Sequence, residues 1–238
     1  MKKSLSTIAV LACFATSASA ATINMANLGG AGAAGQAQFR AFSEDMGAAL
    51  SYKGVTPPTA LGVTGFDIGV EVTASQLQSP AFKTVSGTST TTLPIPKLHV
   101  AKGLPMGFDV AAFYAAIPTT NIRLYGAEVR YAIIDGGMTM PAVGVRGSFS
   151  KLAGVNGWDL NTKGLDISVS KGFLMFTPYA GIGKVWSNST AAPFTAESFS
   201  QNKIFAGLNA NMGLTNLALE YDKTGSVPSY SAKLGFRF

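Results

Sequence analysis

One imidazole and a set of spaced carboxylates are the groups in this chain that could do chemistry. His99 is the sole histidine, flanked by Leu98 and Val100. Nucleophilic catalysis needs a nucleophile, a base and a group that orients the base. No serine or acid motif accompanies His99, and no Gly-x-Ser-x-Gly, phosphate loop or metal-ligand cluster occurs. With one histidine and one cysteine, Cys13, a zinc site is not expected, nor is any cofactor. The expectation is a protein that is not an enzyme. A set of ionisable groups falls at alternate positions among apolar residues: Asp67, Glu71, Glu128, Arg130, Arg146, Asp166, Glu220, Asp222, Lys233 and Arg237, with Asp109 joining them. Such spacing puts them all on one face of extended strands. Opposite charges gathered on an enclosed face must pair, because a lone buried charge is costly. They would make either a structural polar core or the wall of a narrow hydrophilic pore.

The elements that position these groups follow from the same period. Phe66, Ile68, Val70 and Val72 alternate with Asp67, Gly69 and Glu71. Tyr125, Ala127, Val129 and Tyr131 alternate with Glu128 and Arg130, and Leu165, Ile167 and Val169 with Asp166 and Ser168. The pattern returns over 203–212, 217–222 and 229–238, and less cleanly over 97–104, 107–116, 139–150 and 175–187, where Lys184 leaves the facing ambiguous. The total is about ten strands, with eight to twelve allowed. Before them, 21–35 is Gly/Ala-rich and aperiodic. Phe39, Phe42, Met46, Ala49 and Leu50 then fall at helical spacing, which predicts a short amphipathic helix near 37–50 ahead of a linker holding Pro57-Pro58. That helix either packs against the rest of the protein or enters the enclosed space as a plug.

Composition fits a membrane-facing sheet. Hydrophobic residues make up 47% and charged residues 13% of the chain, yet no run of about 18 apolar residues follows the N-terminus. Lys2 and Lys3, the apolar stretch Ile8 to Phe14 and the small residues Ala18-Ser19-Ala20 read as an export signal cut after Ala20. Val10-Leu11-Ala12-Cys13 resembles a lipoprotein cleavage box, but Leu11 fits it poorly and a good site follows. Without Lys2 and Lys3 the formal charge falls from +6 to +4, with no basic cluster, which gives no reason to invoke nucleic acid. A spanning sheet cannot leave an edge unpaired in hydrocarbon, so it must close. Aromatic residues such as Phe66, Tyr114, Tyr131, Phe149, Tyr221 and Tyr230 would suit interfacial girdles. The connections are read as alternating short and longer links, the long ones being about 75–96, Lys151–Asp159 and Ser187–Asn202. Counted back from Phe238, every short link falls on the rim of the C-terminus, as expected of short periplasmic turns.

The final stretch Tyr230-Ser231-Ala232-Lys233-Leu234-Gly235-Phe236-Arg237-Phe238 resembles the terminal strand of bacterial outer-membrane β-barrel proteins. In that class a last Phe, with apolar or aromatic residues at alternate preceding positions, is similar to the signal read by the barrel-assembly machinery; here those positions are Tyr230, Ala232, Leu234, Phe236 and Phe238. The resemblance implies an all-β, closed, antiparallel up-and-down transmembrane barrel over 61–238, preceded by a cleaved signal over 1–20 and a lead-in over 21–60. It implies outer-membrane lipids, lipopolysaccharide and the assembly machinery as partners. The functions it allows are a narrow pore for small solutes or a structural envelope protein, with the helix at the periplasmic side. An adhesin or ligand-binding barrel working through loops 75–96 and 187–202 is the alternative. Small outer-membrane barrels also include lipid-modifying enzymes that use a His with Ser, which would place the chemistry on His99; a lumenal hydrogen bond is the expected role of that side chain.

Overall fold

The computed structural model describes residues 24–30, 32–87, 89–116, 121–137 and 139–238. The export signal and Cys13 lie outside the described residues. Ten antiparallel strands close into a single up-and-down barrel: β1 (Phe66–Gln76), β2 (Thr92–Gly103), β3 (Phe108–Ala116), β4 (Arg123–Ile134), β5 (Ala142–Ala153), β6 (Trp158–Ser170), β7 (Phe176–Ala191), β8 (Glu197–Met212), β9 (Thr215–Thr224) and β10 (Val227–Arg237). Each strand pairs with its sequence neighbours, and β1 closes against β10 with Asp67 opposite Arg237 and Ser75 opposite Ser229. Phe238 continues the seam through backbone bonds with Phe66, and the two rings stack at 5.7 Å. The ring is closed with no free edge strand, although β2 before Leu98 and β8 before Lys203 run beyond the ladders with β3 and β9.

The period-two faces sort as an inverted protein. Ile68, Val100, Leu165, Ile167, Ile182 and Leu219 are exposed on the outside, whereas Asp67, Glu71, Glu128, Asp222 and Lys233 are buried within. Tyr114, Tyr125, Trp186, Tyr221 and Tyr230 are exposed on the outer surface toward one rim, and Phe108, Tyr131, Phe176, Phe236 and Phe238 toward the other. Two aromatic belts flanking an apolar band are the surface of a membrane-spanning barrel. Phe66 and Phe149 are only half-buried on the same face. Lys184, ambiguous in the sequence, points outward. No described helix is long and apolar enough to cross a membrane.

The connections differ from the alternation expected. On the rim opposite the C-terminus, the link between β9 and β10 is Gly225-Ser226 alone, and β7 and β8 run on until only 192–196 joins them. Ser187–Asn202 is therefore mostly ladder, paired from Ser189↔Glu197 to Lys184↔Asn202. Likewise β1 extends to Gln76, a short helix α2 (Ala81–Ser86) occupies the following link, and β2 starts at Thr92. On the C-terminal rim the link 135–141 is no tight turn. The link 117–120 lies outside the described residues.

Helix α1 (Ala33–Leu50) begins four residues earlier than the spacing predicted and is not at the C-terminal rim. It lies inside the barrel, entering from the far rim. Phe39 stacks on Phe194 at 4.9 Å and Phe42 tilts on Trp158 at 4.9 Å. Met46, Leu50, Leu152 and Leu160 complete an apolar core in this half of the lumen. Full burial of each Phe contributes about 1.5–3 kcal/mol. The chain then runs down the lumen through Tyr52, Lys53 and Thr56 and leaves at the C-terminal rim, where Leu61 meets Asp109 and Gly65 leads into β1.

Candidate functional site: the lumen and its plug

Strand alternation turns one side chain in two inward, so each charged group is fixed by its parity. Asp67, Glu71, Asp109, Glu128, Arg130, Arg146, Asp166, Glu220, Asp222 and Lys233 all lie buried inside the barrel, and Arg237 is nearly so at the C-terminal rim. These are seven carboxylates against four cations, a deficit of three. Three lysines that sequence reasoning left out make it good: Lys97, Lys203 and Lys53, all buried. Lys97 and Lys203 share the parity of the other inward residues beside Leu98 and Ile204, so the period carried that signal. Lys53 lies in the aperiodic lead-in, where no period could announce it.

The pairs form one ribbon around the wall. Asp109 meets Arg130 at 3.2 Å, Arg130 meets Glu128 at 3.0 Å, and Glu128 meets Arg146 at 2.9 Å. Arg146 reaches Asp166 at 3.6 Å, Asp166 holds Lys203 at 3.0 Å, and Lys203 faces Asp222 at 3.8 Å. Lys53 closes the end at 2.5 Å from Asp222. Arg130 and Arg146 are direct cross-strand neighbours, which would be repulsive without Glu128 between them. Asp166 and Lys203 sit on strands separated by β7. They meet because the residue between them is Gly183, whose place a Cβ would fill at 2.1 Å from Asp166 Oδ1. Two further pairs stand apart, Lys97 with Glu71 at 2.7 Å and Lys233 with Asp67 at 2.8 Å, the latter joined by Arg237. Hydroxyl pairs Thr73–Ser231, Ser75–Ser229 and Ser150–Thr162, each at 2.8 Å, fill the polar wall between.

The plug is bound through its backbone as well as through Lys53. Ser150 donates to the Leu50 carbonyl at 2.7 Å, Lys203 to that of Tyr52 at 3.2 Å, Arg146 to that of Thr56 at 3.2 Å and Arg130 to that of Pro57 at 3.4 Å. Gly54 passes directly over Arg146, where a Cβ would lie 2.2 Å from the guanidinium carbon. At the far mouth Arg40 binds Glu197 at 2.8 Å and Glu44 at 2.6 Å; these two hydrogen bonds raise its pKa. Asp45 accepts the backbone N–H groups of Gln78 and Ser79, at 2.8 and 2.7 Å. Burial nevertheless raises its carboxyl above the ordinary range, outweighing those bonds.

His99 is inside and buried, and neither ring nitrogen has a hydrogen-bond partner among the described residues. Across the strands it faces Gly69 and Phe113. Among the described residues no group of three His, Cys, Asp or Glu could hold a metal ion.

No family model matches the chain, and among curated proteins none matches. Similar solved structures include bacterial outer-membrane β-barrels. The Neisserial surface protein A structure is 11% identical, covering 72% of this chain and 95% of its own, with a TM-score of 0.32. The KdgM porin is 7% identical, with coverages of 72% and 99% and a TM-score of 0.37. The translocator domain of the autotransporter NalP from Neisseria meningitidis is 8% identical, with coverages of 73% and 87% and a TM-score of 0.34. At such scores the role of this chain rests on its own geometry.

Proposed function

We propose that this chain is a bacterial outer-membrane barrel closed to solutes at rest, a structural envelope protein whose lumen is sealed by its own N-terminal segment. One observation carries the reading: the plug supplies Lys53, a buried cation that pairs with Asp222 of the wall at 2.5 Å, and so belongs to the wall's electrostatics. A plug held only by packing could slide; one that completes an ion-pair ribbon leaves an uncompensated buried carboxylate when it goes. In this orientation the C-terminal rim is periplasmic and α1 enters from outside. The narrow-pore reading survives as a second state, because removal of 33–60 would leave a tube lined by charged and hydroxyl side chains. The test is planar-bilayer recording on the full chain, shown folded by heat-modifiable gel migration. Silence at ordinary voltages is expected. Discrete, steady conductance of the unmodified protein would overturn the sealed reading and favour the pore. A role as a loop-based adhesin draws less support, since the stretch 187–202 is mostly β-ladder.

A further inference from the structure

The outer surface of β4 to β8 changes character along one line. The row of cross-strand neighbours Tyr131, Val145, Ile167, Ile182 and Ile204 is wholly apolar. Toward the far rim, the rows above it bring in Lys184 beside Asn202, then Lys163 between Phe149 and Trp186, then Lys151 beside Asn161. Three lysines thus stand on three successive strands, β5, β6 and β7. Each is a diagonal neighbour of the next, at about 7–8 Å for such positions in a sheet. None has an ion-pair partner among the described residues. The outward carboxylate nearest the row, Asp159, is a diagonal neighbour of Lys151 at the rim end and lies about 13 Å along β6 from Lys163 at ~3.3 Å per residue, so Lys163 and Lys184 have no carboxylate beside them.

An outward lysine on a membrane barrel is unfavourable in hydrocarbon and becomes tolerable at the headgroup level. A row of three there repels itself unless an anion lies across it. The anion must also be carried by something with acyl chains, because Leu165 and Ile182 lie next to the lysines and point the same way. We propose that Lys151, Lys163 and Lys184 form a docking face for the phosphates of lipopolysaccharide in the outer leaflet. Trp186 and Phe149 pack beside the headgroup, and the acyl chains lie along the apolar rows below. This rests on the outer-membrane orientation proposed above.

The experiment is native mass spectrometry of the full-length folded barrel in detergent with added bisphosphorylated lipid A. The unmodified protein and a Lys151→Arg/Lys163→Arg/Lys184→Arg variant retain adducts, and the triple Lys→Gln variant loses them at least tenfold. Dephosphorylated lipid A binds all three weakly. Equal retention by the triple Gln variant overturns the docking face. So does displacement by millimolar inorganic phosphate, which marks a mere anion site, or equal retention of phosphatidylglycerol. Loss of heat-modifiable migration in the unmodified protein would sink the membrane-barrel reading instead, so the two failures are distinguishable.

Discussion

Replacing Lys53 by Met tests whether the plug is electrostatically part of the wall. The substitution keeps the length and apolar stem of the side chain but deletes the ammonium 2.5 Å from Asp222. Asp222 would keep the Thr224 hydroxyl at 3.0 Å and Lys203 at 3.8 Å, which offset part of the loss. Breaking a buried pair by removing one partner costs about 3–5 kcal/mol, so the partial compensation points to the lower end, ~3 kcal/mol. At 1.4 kcal/mol per decade, that is roughly a hundredfold in the folding constant. Lys53 also donates to the Ala48 carbonyl and Ser51 hydroxyl, both at 3.0 Å, but these lie near the helix end and lose less. The assay is urea unfolding of the barrel in vesicles, followed by tryptophan fluorescence and gel migration. With urea slopes of ~1–3 kcal/mol per molar, the midpoint falls by about 1–3 M. Asp222→Asn alone should lose a similar amount, by stranding Lys53. The double variant should return to within about 1 kcal/mol of the parent, because replacing both members of a buried pair is often close to neutral. A Lys53→Met barrel as stable as the parent, or a double variant whose losses simply add, would refute the reasoning.

Three other outcomes follow from the same geometry. Gly183→Val should destabilise the barrel by about 1–3 kcal/mol, since its Cβ collides with Asp166 and parts it from Lys203, whereas Gly147→Ala, whose Cβ meets nothing within 4 Å, should be silent by urea midpoint. Asp45→Asn keeps an oxygen for the Gln78 and Ser79 N–H groups. Because the folded-state carboxyl pKa is raised, the charged form is the disfavoured one. Asn should therefore stabilise by less than about 1 kcal/mol above the carboxylate range, and the gain should vanish as pH falls below about 4; a gain that persists at low pH would sink this account. Phe238→Ala removes the ring stacked on Phe66 at the closing seam and the last residue of the proposed assembly signal; the amount of heat-modifiable barrel in outer-membrane fractions should drop several-fold, and an unchanged amount would discount the role of that ring.

The strands were legible because lipid on one side and buried charge on the other force a strict period of two. That held for β4, β6 and β10, where apolar residues alternate with Glu128, Asp166 and Lys233. It misled at β7 and β8. Their outward residues Asn188, Thr190, Ser198 and Ser200 are polar, so the alternation fades and the segment reads as a loop, although the ladder continues. Hydrophobic periodicity reports where the membrane is; hydrogen bonding reports where the strand is. Lys53 was illegible for a different reason. It belongs to no repeating element, and its role exists only once the closed barrel has brought Asp222 within 2.5 Å of it.

The route of the N-terminal segment has a consequence for how the molecule comes together. Its end is tied to β1, the strand that seals against β10, and its beginning lies at the opposite mouth. A finished tube would have to admit eighteen helical residues and a buried lysine lengthwise through a charged bore. A sheet curling around a segment already in place avoids that passage, and meets each carboxylate with its counter-charge as it arrives. On this account the last zipper to fasten is the one between first and last strands, and the segment acts as the mandrel on which the barrel is rolled.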